Sequence, residues 1–166
     1  MVFTDNVLAI LATFCKSVIL SNHETGNVMK DVNGVIFSVQ VYAKDVQQPI
    51  GAMNRSPVVH ETQIGKGTSI PTRQDFNIEN PFTNGGAEDN RNPSFEETYV
   101  NATEIIEMST PILATGNGSI TEVCKFVVIN GSDGTDHTIL VMRDIISPPV
   151  SFFAGDVINI TNEVVT

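Results

Sequence analysis

The sequence predicts an all-β chain: an antiparallel β-sandwich or jelly-roll-like domain with one N-terminal helix and a long extended loop or arm. Three observations carry this expectation. From Val35 onward apolar residues recur at alternate positions in short runs, the period of half-buried strands. Gly, Asn, Asp and Pro clusters separate the runs, as turns between strands require. A length of 166 residues, with 41% hydrophobic and only 17% charged, suits a single core-bearing domain over 1–166 rather than a disordered chain.

Only the first twenty or so residues depart from that period. Thr4 or Asp5 can cap a helix over about 5–20, in which Val7, Leu8, Leu11, Phe14, Cys15, Val18 and Ile19 share one stripe. Thr13, Lys16 and Ser17 fall opposite. Two short strands are the competing reading, because β-branched and aromatic residues are frequent here. The stretch is not expected to be a secretory signal, since residues 1–15 contain no Lys or Arg. A helix of this kind either covers the end of a sandwich or docks on a neighbouring subunit, which makes Leu11, Phe14 and Val18 candidate interface residues.

Val35, Phe37, Val39, Val41 and Ala43 then alternate with Ser38, Gln40, Tyr42 and Lys44, one strand with one core face. Asn33-Gly34 before it is a strong turn dipeptide, so 28–32 is its expected hairpin partner. A short strand is expected over 58–64.

Residues 65–94 differ in character, with Gly65, Gly67, Gly85, Gly86, Pro71, Pro81 and Pro93 and almost no apolar period. So long a structureless segment is either a mobile loop or an arm that packs on something. Ile70, Phe76, Ile78 and Phe82 favour the arm, because a flexible linker rarely carries aromatic anchors. These four are candidate interface residues.

Strands are expected to return at 98–108, 112–114, 119–130, 138–146, 150–153 and 157–165. Gly131 to Asp136, with Asp133-Gly134 inside, reads as a hairpin turn. Arg143-Asp144 interrupts an apolar strand, and its two side chains face opposite ways, so each needs its own partner. A charge there either blocks edge-to-edge pairing or pairs across a subunit interface, and Arg143 joins the candidate interface residues.

No catalytic or cofactor motif emerges. His23, His60 and His137 stand apart, without a second His or Cys at metal-ligand spacing, and each reads as a solvated surface histidine. There is no G-x-S-x-G, no G-x-G-x-x-G and no G-x-x-x-x-G-K-[ST]. Adjacent Glu96 and Glu97 on a strand would face opposite ways and share no site. The acidic turns Glu88-Asp89-Asn90 and Ser132 to Asp136 lack the spacing of a calcium loop. Cys15 and Cys124 sit among apolar neighbours and read as buried free thiols, with a disulfide as the alternative. No cofactor, metal or catalytic residue is therefore expected. A net charge of −10 with scattered basic residues argues against direct nucleic-acid binding, and no apolar run is long enough to span a bilayer.

Three strings in the last third carry a resemblance: Gly118-Ser119-Ile120-Thr121-Glu122-Val123, then Ile139-Leu140-Val141-Met142-Arg143-Asp144, then Gly155-Asp156-Val157-Ile158-Asn159-Ile160-Thr161, with Ser147-Pro148-Pro149-Val150 in the loop before the last. Over about 117–166 this resembles the closing segment of small virion proteins of tailed bacteriophages. It departs at Cys124-Lys125, where those proteins commonly carry Gly-Leu-Phe. The resemblance implies a non-enzymatic structural component of a virion, in head decoration, neck or tail. Such a protein assembles as a homo-oligomer with other virion proteins and is made in the host cytoplasm. A ligand-binding β-sandwich module, for glycans for example, is the alternative, although sugar sites usually use Trp or Tyr and the chain has no Trp and two Tyr.

Overall fold

A computed structural model describes residues 2–10, 24–41, 60–82, 92–101, 104–109, 111–131 and 133–165. The chain is all-β in its described parts. Strands β1 (Val2–Phe3), β2 (Glu24–Lys30), β3 (Ile36–Val41), β4 (His60–Gly65), β5 (Asn92–Asn101), β6 (Glu104–Ser109), β7 (Ile112–Leu113), β8 (Gly118–Asn130), β9 (Asp136–Phe152), β10 (Val157–Ile158) and β11 (Thr161–Val165) follow one another, with one helical stretch, α1, at 5–10. The chain divides into two compact units. The first comprises 1–59, 71–77 and 127–143, the second 60–70, 78–126 and 144–166, so the boundaries fall inside β8 and β9.

In the first unit β1 runs antiparallel to β9, with Val2 opposite Arg143 and Phe3 opposite Met142. The expected hairpin is present: β2 pairs antiparallel with β3, Met29 opposite Phe37 and Lys30 opposite Ile36. Its turn closes through Gly34 N–H to Asp31 O (2.9 Å), and Gly34 has φ +80°, which the Asn-Gly pair supplies without strain. Met29, Phe37, Val127, Ile129 and Ile139 form this unit's buried cluster, with Ala9 and Ile10 packed against it. The helix thus packs through Ala9 and Ile10, which lie off the expected stripe, while Leu8 of that stripe is 52% exposed. Leu11, Phe14, Cys15 and Val18 lie outside the described residues.

In the second unit the strand order is β9-β8-β4-β5-β6-β11, and β10 pairs with β7. The single strand expected over 98–108 is instead a hairpin: β5 and β6 are antiparallel, Asn101 opposite Glu104. No Gly or Pro marks that reversal, which is why alternation ran through it. The arm is also shorter than its composition suggests, since Asn92, Pro93 and Ser94 belong to β5. Conversely, Ser147-Pro148-Pro149 does not break the chain, and β9 continues through it for 17 residues with a cis Ser147–Pro148 bond. The last expected strand divides into β10 and β11. Ile64, Phe82, Ile112, Ala114, Ile120, Val123 and Phe152 make the buried cluster, with Phe82 edge-on to Phe152. Among the described residues no helix is long and apolar enough to cross a membrane.

Candidate functional site

A cleft of about 340 Å³ opens in the first unit, lined by the start of α1, the outer face of the β2–β3 hairpin and the loop 73–76. Three local devices build it. Asn6, buried at the first turn of α1, completes the edge of β2: its amide donates to Lys30 O (3.0 Å) and accepts from Lys30 N–H (3.1 Å). Asp5 N–H donates to Arg73 O (2.8 Å), and Arg73 returns two contacts to the Asp5 carboxylate. Asn77 then donates to Val32 O (3.1 Å), which fastens the loop to the hairpin turn.

Alternation on the hairpin sends Met29 and Phe37 inward, so Val28, Lys30 and Ile36 face the cleft. Val28 and Ile36 are 61% and 70% exposed, an apolar floor open to solvent. The Lys30 ammonium lies 3.7 Å from the centre of the Phe76 ring, a cation–π contact. Asp75 is engaged from behind by the buried Arg143 (2.8 Å) and by the Thr72 N–H and hydroxyl. Burial would raise the Asp75 pKa, but these hydrogen bonds and the guanidinium hold it below the usual carboxylate range.

Behind the hairpin turn sits a buried ionisable network that corrects the reading of His137 as a solvated histidine. His137 is 8% exposed and stacks on Phe37. Its Nδ1 is 3.0 Å from Asp31 Oδ2, and its Nε2 lies 3.2 Å from Asp133 Oδ2 and 2.9 Å from Thr135 Oγ1. Burial alone would depress the imidazole, but the two carboxylates raise its pKa above the ordinary value. Asp31, which burial would push up, is brought below its usual value by His137 and by the Val35 and Asn33 N–H groups. Asp133 is lowered to about 2, chiefly by the Thr135 N–H and hydroxyl. His137 thereby links Asp31 in the hairpin turn to Asp133 and Thr135 in the turn before β9.

The second unit has its own buried charge, Glu122. Its carboxylate accepts N–H bonds from Gly67 (3.0 Å), Glu79 (2.8 Å) and Asn80 (3.2 Å). Glu79 accepts in turn from Thr68 and Ser69. The expected arm is thus ordered over 65–82 by carboxylates that satisfy its backbone. Nearby, Leu113 and Val157 are opposite one another on β7 and β10, and both are more than half exposed, as is Phe153.

The candidate interface residues separate accordingly. Ile78 and Phe82 are 8% and 5% exposed and are core residues of this chain rather than anchors held out to a neighbour. Ile70 is 85% exposed. Phe76 is half-buried in the cleft. Arg143, 3% exposed, meets Asp75 of its own chain, so its charge needs no partner across an interface. Cys124 is a buried free thiol, as expected. His23 and the acidic turn 88–90 lie outside the described residues, and no group of three or more His, Cys, Asp or Glu able to hold a metal occurs among those described.

Two of these features had a signal in the sequence. His137 stands two residues before Ile139 and so shares its buried face. Glu122 is in phase with Ile120, Cys124 and Phe126 on a strand whose Val123 and Val127 are buried as well. The cleft had none, because it joins three stretches that are well separated in the sequence, at 5–6, 28–36 and 73–76.

Comparison with known protein families, curated proteins and solved structures yields no match to this chain.

Proposed function

We propose that this chain is a non-enzymatic structural component of a tailed-phage virion, a head-decoration, neck or tail protein. It assembles by contacts with copies of itself and with other virion proteins. The observation that supports this most is the exposed cross-strand pair Leu113–Val157 with Phe153 beside β10. Apolar side chains left open on a short rigid ladder are what subunit contacts bury, and Phe153 and Val157 lie in the stretch that resembles virion proteins. Among the described residues, the buried Asp31, Glu122, His137 and Arg143 are tied to partners in this chain. The proposal includes a sandwich or jelly-roll arrangement of the strands, residence in the virion, and no direct contact with nucleic acid or membrane.

Light scattering over a range of concentrations tests it. A discrete oligomer that dissociates on Leu113→Ser with Val157→Ser supports the reading. A monomer at every concentration, unchanged by those substitutions and unable to join the particle, overturns it.

A further inference from the structure

Among the described residues around the first-unit cleft, both acids are already paired and one base is not. Of its two acids, Asp5 is held by Arg73 and Asp75 by Arg143, which approaches from outside the lining. Lys30 is left with only the ring of Phe76, and no carboxylate among the described residues pairs with it. In a chain of net charge −10 this is a locally cationic position. It stands over an apolar floor of Val28 and Ile36, which are 61% and 70% exposed on the outer face of the hairpin.

We infer that the cleft binds a small carboxylate-bearing ligand with an apolar body, its carboxylate on Lys30 and its body against Val28 and Ile36. The volume of about 340 Å³ suits a ligand of amino-acid to dipeptide size. The complementarity is specific: a cation would meet Lys30 and Arg73, and a neutral apolar molecule would leave the Lys30 charge without a counterion while covering it. Asn6 and the Asp5–Arg73 contacts fix the cleft walls before any ligand arrives, so little ordering opposes binding. The inference stands apart from the assembly reading, which rests on the second unit.

Titration calorimetry with N-acetyl-leucine, N-acetyl-leucinamide and acetate tests it on the unaltered protein. The acid is expected to bind, and the amide about tenfold more weakly, the size of one charge-assisted hydrogen bond. Acetate, lacking the apolar body, is expected to be weaker again. Lys30→Gln should reduce the affinity for the acid to that for the amide, and Ile36→Ser should weaken both acid and amide. Equal binding of acid and amide, equal binding of acetate and the acid, or no heat from the acid at millimolar concentration would each overturn the inference. Because the acid and amide are compared on the unaltered chain, a misfolded variant cannot obscure the result.

Discussion

The imidazole of His137 lies flat on the ring of Phe37, centroids 3.9 Å apart and planes 8° from parallel, with a carboxylate at each nitrogen. Stacking fixes the ring plane, and Asp31 and Asp133 then determine its charge. The folded state holds the His137 proton more tightly than an unfolded chain does. That contribution is complete below the ordinary value of 6.5 and is lost as pH rises through the raised one. Asp31 and Asp133 act oppositely, contributing above 3.8 and losing their contribution as pH falls through their lowered values. The network is therefore fully charged from about pH 4 to about pH 6.5. The thermal midpoint should fall as pH rises above about 6.5, and His137→Gln should flatten that slope. Parallel slopes for the two proteins would remove His137 as its source.

Glu122 and Gly67 form a second pair with a measurable consequence. A Cβ at Gly67 would strike the Glu122 carboxylate and stand 2.6 Å from Glu79 Oε2. Glu122 is held by three N–H groups and cannot withdraw. Gly67→Ala should cost about 1–3 kcal/mol in urea unfolding. Glu122→Gln turns a donor toward donors and should cost about 2 kcal/mol. A cost under about 0.5 kcal/mol for both would show that the loop does not depend on this cradle.

Arg143 and Asp75 should behave as a coupled unit. Arg143→Ala leaves Asp75 without its cation and should destabilise by about 3 kcal/mol. Asp75→Asn should cost less once Arg143 is gone than before, with a coupling of about 1 kcal/mol or more in a double-mutant cycle. Additive effects would mean that the pair contributes nothing as a pair.

Along the segment 65–82 the apolar residues should differ sharply. Phe82→Ala empties a place beside Phe152 and should cost about 3–5 kcal/mol. Ile70→Thr, at an exposed position, should stay within about 0.5 kcal/mol. Chemical denaturation of the two variants side by side decides this, and similar losses would contradict the burial difference.

Strand content was legible where alternation met turn chemistry, as at Asn33-Gly34 and Asp133-Gly134, because local propensity and pairing agree there. It failed where the chain reverses between Asn101 and Glu104 without a turn signature, and where β9 passes through Ser147-Pro148-Pro149. The buried charges were harder to see. Periodicity puts His137 in phase with Ile139 and Glu122 in phase with Ile120, but the partners that satisfy them and Arg143, namely Asp31, the loop 67–80 and Asp75, lie too far along the chain for a local pattern to show. The cleft is more distant still from the sequence, since Asp5, Lys30 and Arg73 converge only after the hairpin and loop are in place.

The strand partners of Val2 and Phe3 are Arg143 and Met142, and the Thr4 hydroxyl donates to Leu140 O across 136 positions. During synthesis Val2, Phe3 and Thr4 must therefore wait for residues 140–143. Each unit is also assembled from three separate stretches of sequence, so neither can be excised as a contiguous fragment. Loops this long close slowly, and a ribosome halted before residue 140 would carry a chain with its first strand unpaired. A product cut off before residue 140 therefore exposes strand edges to its neighbours.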